Sequence, residues 1–248
     1  MPQSMFGKTR IFDDFLGPDN DLTWGAGTVK VGNFGFVSDE EGTFEWTVDE
    51  PGGVVAFTTD TGDDDNAVLF GGTFQPSLGG CEMEARFKFN SATLLAVYYG
   101  FTETLALATP VMPGEFATAT MSYNGSGGMV GGVHDPDAST NDFRSVFGDG
   151  GAQTGGGTTN GARASETITA DEWYIGRAEI DADGTARVYV GHKGGLAGDI
   201  NLIEEVTSSP ITNSDQFYGV LIGENRSAAA RVFEVDYLYM SGSRDWAV

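Results

Sequence analysis

The stretch Trp173 to Val190, WYIGRAEIDADGTARVYV, constrains this chain more than any other. Two alternating runs flank Asp183-Gly184, a strong short-range hairpin signal. A three-residue loop Ala182-Asp183-Gly184, with the glycine left-handed, pairs Ile180 with Ala186, Ala178 with Val188 and Gly176 with Val190. The other face then pairs Glu179 with Arg187 and Arg177 with Tyr189. One face is wholly apolar or small, and the other carries an opposite-charge cross-strand pair. A two-residue loop sets Ile180 beside Arg187 and Glu179 beside Val188, which mixes the faces. The three-residue register is therefore predicted, with Ile180, Val188 and Val190 buried.

Almost every other segment also reads as a strand between Gly, Asp, Asn or Pro punctuation. Thr43–Asp49 places Phe44, Trp46 and Val48 on one face. Val54–Thr58, Cys81–Phe89, Thr93–Phe101, Phe116–Tyr123 and Phe217–Gly223 follow the same style. Arg231–Met240, RVFEVDYLYM, sets Phe233, Val235, Tyr237 and Tyr239 on one side. The nearest helix candidate, around Glu103–Ala108, is short and ends at Pro110. Short strands at even spacing with glycine turns predict an all-β, two-sheet antiparallel sandwich or jelly roll. No linker divides residues 1–248, so one domain is expected.

Two segments depart from an ordinary half-solvated sandwich. Leu94-Leu95-Ala96-Val97-Tyr98-Tyr99 is apolar at both parities, so the strand is covered on both faces, either by a long loop or by a neighbouring subunit. Gly148–Gly161, GDGGAQTGGGTTNG, is too glycine-rich to order by burial of its own and reads as a mobile loop or an arm.

Charge narrows the function classes. Thirteen Lys plus Arg stand against 36 Asp plus Glu, a formal net charge of -23. Such a surface repels nucleic acid and anionic membranes, so neither is an expected partner. No run of about 18 apolar residues is present to span a membrane. Residues 1–24 lack an apolar segment after a basic start, so no export signal is expected. The single cysteine, Cys81, opens an alternating strand and reads as a buried small residue.

Catalytic and metal chemistry is mostly missing from the pattern. His134 in VHDPD and His192 in GHKGG have no metal-ligand spacing, and both read as solvated loop residues. Ser126 in NGSGG lacks the strand–turn–helix context of a nucleophile elbow. Gly155-Gly156-Gly157 lacks the Lys and spacing of a phosphate loop. Asp60, Asp63, Asp64 and Asp65, and separately Asp135, Asp137 and Asn141, offer oxygen ligands on loops. Calcium takes about six to eight oxygens, but neither set has EF-hand spacing, and solvated turns are the favoured reading. No metal, cofactor or catalytic residue is therefore assigned.

Glu179-Ile180-Asp181-Ala182-Asp183 resembles the E-x-D-x-E strand of laminarinase-type glycoside hydrolases. A retaining glycosidase needs two free carboxyl groups about 5 Å apart. Here the third position is Asp in the turn, and Glu179 faces Arg187. The hairpin reading prevails, and no enzyme activity is expected.

The Trp173–Val190 hairpin is similar to the strand pair of concanavalin A-like (laminin G-type) jelly rolls. Arg231–Met240 resembles their last strand, and Ile11-Phe12-Asp13-Asp14-Phe15 resembles their first, which lies near the last. With the Met start and no signal, the combination resembles capsid decoration (cement) proteins of tailed bacteriophages. That resemblance implies a structural virion protein on the outer capsid surface, bound to the major capsid protein and assembled as a homo-oligomer, a trimer. The alternative is a carbohydrate-binding or receptor-binding virion module with an aromatic platform on one sheet. Trp46 and Tyr237 follow core parity in the sequence pattern, while Trp24, Trp173 and Trp246 are free to be exposed.

Overall fold

The computed structural model describes residues 8–16, 29–39, 42–47, 53–117, 120–125, 127–149, 152–153, 161–165, 167–191, 200–207 and 210–243. These residues form an all-β, two-sheet antiparallel jelly-roll sandwich. The strands are β1 (Lys8–Asp13), β2 (Val29–Val31), β3 (Phe34–Ser38), β4 (Thr43–Trp46), β5 (Val55–Thr58), β6 (Asn66–Phe74), β7 (Cys81–Phe89), β8 (Leu95–Thr102) and β9 (Gly114–Ala117). They continue as β10 (Thr120–Tyr123), β11 (Met129–His134), β12 (Arg144–Asp149), β13 (Ala152–Gln153), β14 (Tyr174–Ile180), β15 (Ala186–Gly191), β16 (Ile200–Val206), β17 (Phe217–Asn225) and β18 (Val232–Ser243). The first sheet runs β16-β15-β14-β7-β18-β5-β4, with β1 also paired to β18; the second runs β13-β12-β11-β8-β17-β6-β3-β2. The only helical turn among the described residues is the 3-10 turn Pro76–Leu78, and Glu103–Ala108 forms no helix.

The β14–β15 hairpin takes the three-residue register. Ile180 pairs with Ala186, Ala178 with Val188, Gly176 with Val190, Glu179 with Arg187 and Arg177 with Tyr189. Gly184 has φ 88°, the left-handed conformation that this loop requires of its last residue. Ile180, Val188 and Val190 are buried in the core. First and last strands meet as expected, with Ile11 opposite Met240 and Phe12 opposite Tyr239.

The closing strand differs from its simple alternation. β18 shifts register against β7 between Val235 and Tyr237, so Asp236 is an extra residue with no partner in that ladder. A bulge reverses which parity faces inward. Phe233 and Val235 enter the core before it, Leu238 and Met240 after it, and Tyr237 and Tyr239 turn to the outer face. Phe116–Tyr123, read as one strand, is instead the antiparallel hairpin β9–β10, with Phe116 opposite Met121.

That hairpin settles the doubly apolar strand. Leu95, Val97, Tyr99 and Phe101 of β8 face the core between the sheets, together with Phe87, Leu221 and Phe233. Ala96 and Tyr98 face the other way, into a second cluster with Met112, Phe116, Met121, Val133, Val220 and Ile222. The segment around β9–β10 therefore lies on the outer face of the second sheet and covers Ala96 and Tyr98 of β8 from within the chain. A subunit interface is not needed to bury it.

Tyr99 spans the sandwich. A Cβ on Gly132 of β11 would lie 2.2 Å from its ring, and one on Gly176 of β14 would lie 2.6 Å from it. Its hydroxyl donates to the Tyr189 carbonyl at 2.8 Å. A buried ring wedged between glycines of opposite sheets leaves no room for a methyl group. Gly176→Ala is expected to destabilise the fold by about 1–3 kcal/mol through overpacking. Chemical denaturation of the variant checks this, and unchanged stability would contradict the packing.

Candidate binding face on the outer side of the first sheet

The outward side chains of the first sheet form a lattice of carboxylates, cations and aromatic rings. β7 contributes Glu82, Glu84, Arg86 and Lys88, alternating with the buried Cys81, Met83, Ala85, Phe87 and Phe89. β14 adds Arg177 and Glu179, β15 adds Arg187 and Tyr189, and the bulged β18 adds Tyr237, Tyr239 and Ser241. β1 completes the edge with Lys8, Arg10 and Phe12, all exposed.

Ion pairs and hydroxyl hydrogen bonds hold the carboxylates in place. Arg177 lies 2.9 Å from Glu179, 3.3 Å from Glu82 and 3.9 Å from Glu84. Tyr237 donates to Glu84 and Tyr239 to Glu82, each at 2.7 Å, and Tyr189 donates to Glu179 at 3.3 Å. Burial raises the Glu82 carboxyl, but the hydroxyls of Tyr239 and Ser241 and the Arg177 guanidinium outweigh it and leave it below the ordinary range. Burial pushes the Tyr237 phenol up, reinforced by its bond to Glu84. Arg86 pairs with Asp236 of the bulge at 2.6 Å, Lys88 pairs with Glu234 at 2.5 Å, and both cations lie over the Trp173 ring.

Between these groups lies a cleft of about 160 Å³, lined by Lys8, Gly79, Gly80, Cys81, Glu82, Glu179, Ile180, Asp181 and Ser241. Four positions along β1 from Lys8, Phe12 is 51% exposed and packs on Tyr237 with ring centroids 6.2 Å apart. The Cys81 thiol is buried and pushed up by desolvation, so it belongs to the cleft's floor and not to its chemistry.

Glu179 and Arg187 are opposite neighbours, as predicted, yet their tightest contacts lie elsewhere. Arg187 approaches Glu179 to 3.8 Å, while it holds Asp181 at 2.8 Å and also pairs with Glu205. Glu179 and Asp181 thus share one face with Glu82 of the neighbouring strand, a juxtaposition that the hairpin pattern alone does not reveal.

The two acidic loops meet at the far end of the second sheet. Arg226, just past β17, lies 2.6 Å from Asp64, 3.1 Å from Glu115, 2.9 Å from Asp135 and 2.8 Å from Glu224. Asp63, Asp64 and Asp137 are exposed, as solvated turns should be. Asp135 is not: it is buried, accepting from the backbone N–H groups of Phe116 and Asp137 as well as from Arg226. The carboxylates of Asp64, Glu115 and Glu224 come within 4.8 Å of one another, a spacing that suits a metal ion. The guanidinium already supplies positive charge there. Asn141 is elsewhere, donating to the Ile168 carbonyl.

His134 also departs from the solvated reading. As the last residue of β11 it faces inward, fully buried between Phe89 and Phe143, with Nε2 3.1 Å from the Ala92 carbonyl. Desolvation lowers its pKa to about 4, so it is a neutral core residue. His192, Ser126, Trp24, Trp246, Val48 and Gly155–Gly157 lie outside the described residues, as does most of Gly148–Gly161.

Neither protein families nor curated proteins match the sequence. Solved structures do match the fold. The carbohydrate recognition domain of Emp47p is 12% identical with a TM-score of 0.56, over 94% of this chain and 96% of that one. A protein of unknown function from Shewanella oneidensis MR-1 is 15% identical with a TM-score of 0.54, over 96% and 87%. Winged bean acidic lectin, solved with methyl-α-D-galactose, is 7% identical with a TM-score of 0.51, over 96% and 100%. The lectin and carbohydrate-recognition-domain neighbours are legume-lectin-like, concanavalin A-like jelly rolls, and at such identities the likeness establishes the fold. Nothing in the comparisons links the chain to phage decoration proteins, a major capsid protein or a trimer.

The Arg226 cluster has a measurable consequence. Burial, with Glu115 and Asp64 nearby, outweighs a guanidinium shared among four carboxylates and pushes Glu224 from 4.5 to about 8. The folded state thus binds an extra proton between those values. The stability this contributes is full below 4.5 and lost as pH rises through about 8. Glu224→Gln, permanently neutral, is expected to gain stability relative to the wild type between pH 6 and pH 9. Parallel melting curves check this, and a constant gap would contradict it.

Proposed function

We propose that this chain is a carbohydrate-binding module that takes its saccharide on the outer face of the first sheet and does not cleave it. One observation carries the reading. The bulge at Asp236 turns Tyr237 and Tyr239 outward beside exposed Phe12, next to a polar cleft lined by Glu82, Asp181 and Ser241. Aromatic rings offer flat apolar surface to the C–H face of a sugar ring, while fixed carboxylates and hydroxyls meet its hydroxyl groups. The fold neighbours include carbohydrate recognition domains, which supports the same reading at the level of fold. On the opposite sheet, β9–β10 covers the outer face over β8, β11 and β17.

Catalysis is outside the proposal. Glu179 is held by Arg177 and Tyr189, and Asp181 by Arg187, whereas retaining hydrolysis needs one carboxyl to give its proton and another free to attack. Such a module fits the receptor-binding role raised by the sequence, and no observation favours the cement role.

A panel of immobilised neutral and acidic glycans, probed with the whole chain, tests the reading. Binding is expected, weakened by Phe12→Ala about tenfold, the equivalent of about 1.4 kcal/mol for a lost stacking contact. A panel with no binding, or binding indifferent to Phe12→Ala, overturns it. Glu179→Gln and Asp181→Asn should leave the bound glycan intact, as in the wild type. Release of reducing ends by the native chain, lost in either variant, contradicts the non-catalytic assignment.

A further inference from the structure

The 13 cations of this chain are distributed unevenly. Six of them, Lys8, Arg10, Arg86, Lys88, Arg177 and Arg187, stand on the outer face of the first sheet. Four of those six are committed: Arg86 to Asp236, Lys88 to Glu234, Arg177 to three glutamates, and Arg187 to Asp181, Glu179 and Glu205. Lys8 and Arg10 are both exposed, and no carboxylate among the described residues lies within ion-pair distance of either.

Their position makes this a ledge. On β1 the outward residues are Lys8, Arg10 and Phe12, at alternate positions and therefore on one side of the strand. Opposite them on β18 stand Ser243, Ser241 and Tyr239. Lys8 also lines the cleft that holds Glu82 and Asp181. Two cations without an ion-pair partner among the described residues, next to an exposed phenylalanine, are unexpected on a surface of net charge -23, where a carboxylate is the commoner neighbour. The general field of the molecule repels anions, so an anionic group is held here only by direct contact with these two side chains.

We infer that the saccharide bound by this face is anionic and that its acidic group sits on the β1 ledge, between Lys8 and Arg10, with its ring against Phe12. This inference rests on the glycan-binding reading and specifies its ligand class. The planar Arg10 guanidinium matches a carboxylate through two parallel hydrogen bonds, and Lys8 contributes a point charge. A carboxylate on the sugar, as in a uronic acid, is the better geometric fit. A sulfate ester shares the charge without the planar match.

Titration calorimetry of the whole chain with a short oligogalacturonate tests the inference. The controls are the same oligosaccharide with its carboxylates reduced to alcohols, and a sulfated oligosaccharide of equal length. The oligogalacturonate should bind, and the Lys8→Gln/Arg10→Gln double variant should bind it about tenfold more weakly, two exposed ion pairs being involved. Wild-type affinity should fall as salt is raised, and the variant's should fall less. Both side chains are exposed, so the double variant should melt at the wild-type temperature. Equal affinity for the reduced oligosaccharide, or an unaffected double variant, overturns the acidic assignment and leaves the glycan reading standing. Preference for the sulfated probe overturns the carboxylate and keeps the anion. Binding of neutral panel glycans alone overturns the inference only, whereas no binding to any glycan removes the underlying reading as well. Self-association abolished by the double variant, with no saccharide bound, assigns the ledge to a second copy of the chain and overturns both.

Discussion

The extra residue at Asp236 is the constraint on which the outer face depends. β18 pairs with β7 along most of its length and with β5 and β1 on its other side, so its register governs what the first sheet presents. Without the bulge, strict alternation from Phe233 and Val235 sends Tyr237 and Tyr239 into the core and Leu238 and Met240 to solvent. With it, Phe233 and Val235 enter the core before the irregularity and Leu238 and Met240 after it, and two tyrosines emerge where Glu82 and Glu84 accept hydrogen bonds from their hydroxyls. Asp236 has no ladder partner, and Arg86 ties its carboxylate to the neighbouring strand. The local departure from a regular ladder thus produces both a closed core and an aromatic face.

The two sheets are held in one arrangement by Tyr99 and the glycines around it. Its ring fills space that any side chain at Gly132 or Gly176 would need, and its hydroxyl satisfies a backbone carbonyl of the other sheet. On the far side of the second sheet, β9–β10 packs Phe116 and Met121 onto Ile222, Val220 and Tyr98. Arg226 and Asp135 fasten that hairpin through Glu115 and the Phe116 backbone. Much of the second sheet's outer face is therefore spent on internal packing, while that of the first carries exposed polar and aromatic groups.

How much of this was legible in the sequence depends on the range of the interactions. The β14–β15 hairpin is local: its alternation and its Asp-Gly turn specify every pairing, and the structure follows them residue by residue. The closeness of Ile11 to Met240 was legible through resemblance. The bulge was not, because RVFEVDYLYM is compatible with either parity after Val235 until β7 supplies a partner. His134 was misread since VHDPD has a turn's composition, while its last strand residue faces Phe89 and Phe143 from distant segments. Asp64 and Asp135 looked like separate solvated runs because Arg226, which joins them, is remote in the chain. The platform residues on β1 and β18 are each visible in the sequence, but simple alternation puts Tyr237 and Tyr239 on the core side, and only the bulge turns them outward.

The most direct test of the account is where a bound saccharide touches the molecule. Amide chemical-shift mapping of the isotopically labelled chain, titrated with a glycan that it retains, answers this in one measurement. The largest shifts should fall on β1, the Cys81 end of β7, the Ile180 end of β14 and the half of β18 after Asp236. Shifts concentrated instead on Asp64, Glu115, Asp135 and Arg226, at the end of the second sheet, would contradict it.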